Sequence, residues 1–177
     1  MAFISAGRNT SATQSLGVNQ TAKLLSVKAF DSFGFGNSLD IARAIVYAAD
    51  RGAAIINLSF GDVFRSLLIE SAVKYAWLKG SILVASGGNV GGNSLRYPAA
   101  FSEVIAVSWL NKNLRINSTA NYGPHIKFAA PGSDIQHAAI KNQGAFTKSS
   151  GSSASAALVS GVFSWMKSML PNADRNQ

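Results

Sequence analysis

Between Thr147 and Gly161 the chain reads Thr147-Lys148-Ser149-Ser150-Gly151-Ser152-Ser153-Ala154-Ser155-Ala156-Ala157-Leu158-Val159-Ser160-Gly161. Glycine and several hydroxyls stand at the mouth of what then reads as an apolar helix. A serine in that position lies beside unpaired backbone N–H groups and the positive end of the helix dipole. Such a setting suits a nucleophile whose attack creates negative charge. A second polar loop, Ser86-Gly87-Gly88-Asn89, follows the apolar run Ile82-Leu83-Val84-Ala85 and offers an amide donor for that charge. Two parts of an acyl-transfer site are therefore visible, but a base for the serine is not.

The elements that must position these residues follow from spacing. Residues 23–30 read as a strand, closed by the turn Asp31-Ser32-Phe33-Gly34-Phe35-Gly36. Asn37 or Ser38 caps a helix running to about Arg51, with Leu39, Ala42, Ile45, Val46 and Ala49 at three- and four-residue spacing and Gly52 as its stop. Residues 54–59 form a strand with few charges, as a strand buried on both faces would. A helix over about 65–79 ends at Gly80, and a strand over 81–86 follows directly. A Gly/Asn loop, 87–98, leads to strands at 104–108 and 126–130. Residues 137–148 read as a hairpin, with 138–140 facing 145–147 across 141–144. The last helix runs from about Ser153 to Leu170, before Pro171 and a polar tail at 171–177.

Strands alternating with helices predict an α/β fold: three layers, a mostly parallel, doubly wound sheet with helices on both faces. Ligands bind such sheets outside the C-terminal strand ends, where the Ser59-Phe60-Gly61 turn and the Asn89 loop both lie. No internal repeat or domain linker interrupts the pattern, so residues 1–177 are expected to form a single domain.

Composition narrows the function classes. The 177 residues are 47% hydrophobic and 14% charged, with 16 basic against 8 acidic side chains and a net charge of +8. The hydrophobic content argues against disorder. The basic residues are scattered singly, with no basic run interleaved with aromatics, which speaks against nucleic-acid binding. No cysteine is present, which excludes disulfides, thiolate metal sites and a cysteine nucleophile. No apolar stretch approaches the roughly 20 residues needed to span a bilayer, so no membrane partner is expected. The first residues, Met1-Ala2-Phe3-Ile4-Ser5-Ala6-Gly7-Arg8, lack the basic and long apolar regions of a signal peptide.

At its serine-rich segment the chain resembles the subtilisin-like serine proteases, the subtilases. Their nucleophile motif is Gly-Thr-Ser-x-Ala-Ala-Pro-His-Val-Ala-Gly. Here Gly151-Ser152-Ser153-Ala154-Ser155-Ala156-Ala157-Leu158-Val159-Ser160-Gly161 stands in its place, departing at Ser152, Ser155, Ala157 and Leu158. Val84-Ala85-Ser86-Gly87-Gly88-Asn89-Val90-Gly91 is similar to the family's Ala-Ala-Gly-Asn-x-Gly loop. Ile55-Ile56-Asn57-Leu58-Ser59-Phe60-Gly61 resembles its substrate-flanking Ile-Asn-Met-Ser-Leu-Gly strand. Tyr97-Pro98-Ala99 with Val104-Ile105-Ala106-Val107, and Phe128-Ala129-Ala130-Pro131-Gly132, continue the agreement in order.

The resemblance implies Ser153 as nucleophile and Asn89 as oxyanion-hole amide. It also implies that Gly34, Phe35, Gly36, Ser59, Phe60, Gly61, Ser86, Gly87 and Gly88 flank a peptide or protein substrate. Family members often bind calcium and are often secreted. No cluster of acidic oxygen ligands is legible here, so no metal site or other cofactor is assigned. The family's Asp-Thr-Gly and His-Gly-Thr-His segments precede the region matched. Residues 3–8 resemble the helix that normally follows the catalytic histidine. The chain thus reads as the C-terminal two-thirds of a subtilase domain, lacking base and carboxylate and inactive alone, with the N-terminal part of the domain as a candidate partner.

The two histidines, His125 and His137, lie in a turn and at the start of a hairpin, and surface positions are expected for both. Asp31 lacks the Thr-Gly that should follow a catalytic aspartate, and Asp134 is expected to stabilise the turn after Pro131-Gly132. A non-catalytic peptide-binding protein with the same cleft is the first alternative. A doubly wound nucleotide-binding protein is the second. It is the weaker, because no helix follows the glycines of Gly87-Gly88-Asn89-Val90-Gly91-Gly92.

Overall fold

A computed structural model of the chain describes residues 1–7, 17–139 and 146–172. A short helix α1 (Ala2–Ala6) is followed by α2 (Ser38–Asp50), β1 (Ile55–Leu58), α3 (Leu67–Leu78) and β2 (Ile82–Ser86). Then come β3 (Val104–Leu110), β4 (Ile126–Pro131), the pair β5 (Ile135–Ala138) and β6 (Phe146–Ser149), and finally α4 (Ser152–Met169).

Local chemistry sets the helix ends. The Asn37 side chain accepts from the Asp40 N–H at 2.8 Å and caps α2, while Gly52, at φ +73°, lets the chain turn away after it. Ser66 caps α3, and Gly80 at φ +92° follows it. Ile41, Ala42, Ile45, Ala48 and Ala49 are the buried positions of α2, the stripe that its spacing dictates.

The sheet is parallel in the order β1-β2-β3-β4. Its two faces separate by the period-two rule of strands. Ile56, Leu58, Leu83, Ala85, Val104 and Ala106 face one way and join α2 and α3 in the larger core. Val84 and Val107, with Ile55, Ile82 and Ile105, face the other way and pack on Ala156, Val159 and Phe163 of α4. Three layers result, with α2 and α3 on one side and α4 on the other. Ile4 of α1 packs beside Ala154 and Ala157 of α4.

Residues 23–30 are the main departure from the sequence reading, because they form no strand. The run is extended, but none of its backbone groups enters a ladder, and Leu24 and Leu25 are exposed. An extended segment becomes a strand only when a neighbour supplies complementary N–H and C=O groups. The sheet begins at β1, whose outer side has no partner among the described residues. Only the end of the run is anchored, through Ala29 and Phe30 packed against the larger core. An antiparallel pair stands where the hairpin was expected, but it starts two residues early and its register is shifted by one: Ile135 pairs with Ser149 and Ala138 with Phe146, where Ala138 was expected opposite Thr147. Its connecting residues 140–145, and 173–177 of the expected tail, lie outside the described residues.

Candidate functional site

The site assembles at the N-terminus of α4, against the C-terminal ends of β1 and β2. Gly151 precedes the helix at φ +127°, and a Cβ there would stand 3.0 Å from Asn89 Nδ2. Glycine is therefore required twice over, by backbone conformation and by the approach of the Asn89 loop. Ser152 and Ser153 open the helix with different fates. Ser152 is fully buried, whereas Ser153 is half-buried, the one partly open position between Gly151 and Ala157. Ser153 Oγ donates to the Ser59 carbonyl at 3.2 Å, and Ser59 Oγ donates to the Ser153 carbonyl at 3.1 Å. The Ser59 turn is thereby fastened to the helix.

Asn89 is held by one end of its amide. Its Oδ1 accepts from the Ser152 N–H at 2.8 Å and from Ser152 Oγ at 2.9 Å. Its Nδ2 has no hydrogen-bond partner among the described residues, and the residue is exposed. The anchoring oxygen fixes which face of the amide carries free donors. Ser152 Oγ also accepts from the Gly88 N–H at 3.1 Å, so one hydroxyl ties both loop residues to the helix.

The underside of that loop rests on Asn121, which is fully buried. Asn121 Oδ1 accepts from the Val90 N–H, its Nδ2 donates to the Ser94 carbonyl, and its own N–H donates to the Gly88 carbonyl. A Cβ on Gly88 would sit 2.7 Å from Asn121 Cγ. Ser152 and Asn121 are the positioning residues that sequence reasoning missed. Ser152 left a faint signal, because the motif position keeps a hydroxyl. Asn121, alone in a connecting loop, left none.

The expected cleft edges are placed unevenly. Gly34, Phe35 and Gly36 are exposed, on a tight turn in which Asp31 Oδ1 accepts from the N–H groups of Phe33 and Phe35. Ser59, Phe60 and Gly61 leave β1 beside Ser153, and Phe60 stacks edge-on against Phe30 at 4.9 Å between centroids. That ring pair links the base of the exposed turn to the strand end. Exposure rises along the second loop: Ser86 and Gly87 are buried, Gly88 is half-buried and Asn89 is open. Ser86 and Gly87 therefore shape the loop from behind, where a Cβ on Gly87 would meet Ile126 Cδ1 at 2.6 Å.

Neither histidine is hydrogen-bonded to Ser153. His125 is less exposed than expected for a surface turn: both ring nitrogens are shielded and have no hydrogen-bond partner among the described residues, and burial lowers its pKa, with Lys127 adding to the effect. His137 lies on β5, hydrogen-bonded to Ser149. Asp134, at φ +52°, donates its N–H to Ser150 Oγ, and its carboxylate pairs with Lys112 at 2.6 Å, which lowers its pKa. Among the described residues no group of three or more His, Cys, Asp or Glu side chains is placed to hold a metal. No helix among these residues is long and apolar enough to cross a membrane.

A family model described as "Subtilase family" matches residues 1–177. Thermophilic serine proteinase of Bacillus sp. (strain AK1) is 40% identical over 162 residues, which cover 92% of this chain and 40% of that protein. Thermitase of Thermoactinomyces vulgaris is 40% identical over 134 residues, 76% of this chain and 48% of its own length. Among solved structures, Sphericase matches with a TM-score of 0.92 at 29% identity, over 99% of this chain and 64% of its own. S41 Psychrophilic Protease matches with a TM-score of 0.90 at 27% identity, over 98% and 63%. The chain therefore spans less than half of these curated relatives and under two-thirds of these solved structures.

Proposed function

The chain belongs to the subtilase family, a family of serine endopeptidases, and from that premise we propose that it carries the nucleophile half of a peptide-bond-hydrolysing site. Ser153 Oγ attacks the scissile carbonyl and forms an acyl-enzyme, which water then hydrolyses. The negative charge on the carbonyl oxygen meets Asn89 Nδ2 and the Ser153 N–H, which belongs to the first helical turn, where backbone donors have no partner within the helix. The backbone at Ser59–Gly61 and the exposed turn at Gly34–Gly36 flank an extended peptide or protein substrate, as strand edges do when they add a strand.

The proton of Ser153 needs an imidazole, and the imidazole needs a carboxylate to orient it. Among the described residues no side chain takes either role, and both come from the part of the domain that the relatives possess and this chain does not match. Alone, the chain is inactive at protease rates. Sites that have lost triad members retain only about 10³–10⁴-fold catalysis over water, through the oxyanion hole and binding.

The observation that carries this reading is the posture of Asn89. Its oxygen is held by two donors from Ser152, and its amide nitrogen has no hydrogen-bond partner among the described residues. The test joins the chain to the upstream segment of Thermitase and measures cleavage of an internally quenched peptide. Turnover that appears on joining and vanishes with Ser153→Ala is the expected result. A folded chimera that binds peptide without cutting it would replace this reading with that of a peptide-binding protein.

A further inference from the structure

A second serine of this chain already has what Ser153 lacks. The antiparallel register of β5 and β6 pairs Ile135 with Ser149 and His137 with Thr147. His137 and Ser149 are thus diagonal neighbours on one face of the ribbon, within reach of a long side chain. His137 Nε2 lies 2.6 Å from Ser149 Oγ, and Nδ1 lies 2.9 Å from the Ala138 carbonyl. A carbonyl only accepts, so Nδ1 carries the hydrogen and donates it. In the neutral ring, Nε2 then holds the lone pair, and the Ser149 hydroxyl donates to it. Both residues are half-buried, fixed yet open to a reagent. A nucleophile hydrogen-bonded to a base, which is itself oriented by a third group, is the arrangement that activates a serine hydroxyl. Here the third group is a backbone carbonyl.

We propose that Ser149 and His137 form a second nucleophilic centre, independent of Ser153, that takes an acyl or phosphonyl group from an activated ester or a fluorophosphonate. In the reaction with a fluorophosphonate, the Ser149 oxygen forms the new bond to phosphorus as the phosphorus–fluorine bond breaks and fluoride leaves. The hydroxyl proton passes to His137 Nε2, and the resulting imidazolium returns it to water. With an ester, the oxygen bonds to the carbonyl carbon and the alcohol or phenolate leaves. Ser150 stands apart from this chemistry, its Oγ accepting from the Asp134 N–H. Lys148 and Gln136 pair on the opposite face of the ribbon.

The test treats the full chain, without any upstream segment, with a fluorophosphonate and locates the adduct by mass spectrometry. One adduct is expected on the peptide containing Ser149, retained in Ser153→Ala and lost in Ser149→Ala. His137→Gln should slow labelling by about 10²–10⁴-fold, the range a general base supplies. Urea-unfolded chain sets the background rate. An adduct on Ser153 in place of Ser149, labelling no faster than in the unfolded chain, or an unchanged rate in His137→Gln would each overturn the proposal. Should His137→Gln lose its fold by circular dichroism, the burst of p-nitrophenol from p-nitrophenyl acetate decides. One equivalent from Ser153→Ala and none from Ser149→Ala supports the centre, and equal bursts overturn it. These outcomes are separate from those for the protease reading, which needs Ser153 and an added upstream segment.

Discussion

Removing the Ser152 hydroxyl is the sharpest test of how the Asn89 loop is held. Ser152→Ala keeps the backbone N–H bond to Asn89 Oδ1 at 2.8 Å, but loses the hydroxyl bond at 2.9 Å and the acceptor of the Gly88 N–H at 3.1 Å. The serine side chain is fully buried, so water does not take its place. A neutral hydrogen bond contributes about 0.5–1.5 kcal/mol, and an orphaned buried donor costs about 1–3 kcal/mol. Gly88 is only half-buried, which keeps the loss in the lower part of the combined range, about 1.5–3 kcal/mol. For a chain of this size that corresponds to a fall in Tm of roughly 3–12 °C. Urea unfolding followed by far-ultraviolet circular dichroism measures it. A double-mutant cycle with Asn89→Ala should also return a coupling of about 0.5–3 kcal/mol, the range for residues in one network. A loss below about 0.5 kcal/mol, the level of ordinary surface substitutions, or additive effects in the cycle, would refute the reasoning.

Further outcomes are equally specific. Asn89→Leu in the Thermitase chimera should lower kcat about 10²–10³-fold with little change in KM, the range established for removing one oxyanion donor in this same family. Gly132→Ala places a Cβ 2.6 Å from both Ser155 Oγ and Trp109 Cβ and 3.0 Å from the Gly151 carbonyl. Trp109 is buried, so the overpacking should cost about 1–3 kcal/mol in thermal unfolding; an unchanged melt would contradict the packing. The Arg65 and Lys74 side chains hold the Glu70 carboxyl at a pKa of about 2, below its ordinary 4.5. A depressed carboxylate stabilises the fold above the higher value, and that stabilisation is lost as pH falls towards the lower one. The stability difference between wild type and Glu70→Gln should therefore shrink between pH 4.5 and 2, and a constant difference across that window would show that the ion pairs contribute nothing.

Residues 23–30 and the two histidines show where legibility stopped. The strand reading of 23–30 matches an extended backbone, but strand formation depends on a neighbour, and the neighbour is not encoded in the segment itself. His125 and His137 look alike in sequence, each a lone histidine near a turn. One ends with shielded nitrogens that have no partner among the described residues, the other in a hydrogen bond to a serine twelve positions away. Ser86 and Gly87 sit in a recognisable motif yet lie behind the surface, because the chain surfaces only at Gly88 and Asn89.

From the amino-acid order alone came the alternation of helices and strands, a cap at Asn37 or Ser38, the glycine stops at Gly52 and Gly80, and the motif positions of Ser153 and Asn89. These depend on interactions within one turn of helix or one strand period, which a short window of residues contains. Tertiary structure decided the rest: which strands acquire partners, that Ser152 rather than Ser153 holds the Asn89 oxygen, and that His137 meets Ser149. The Ser152–Asn89 bond joins residues 63 apart and the Ser153–Ser59 bond residues 94 apart. Such contacts exist only once the sheet has brought distant strand ends together, because a hydrogen bond depends on separation in space, and separation along the chain does not determine it.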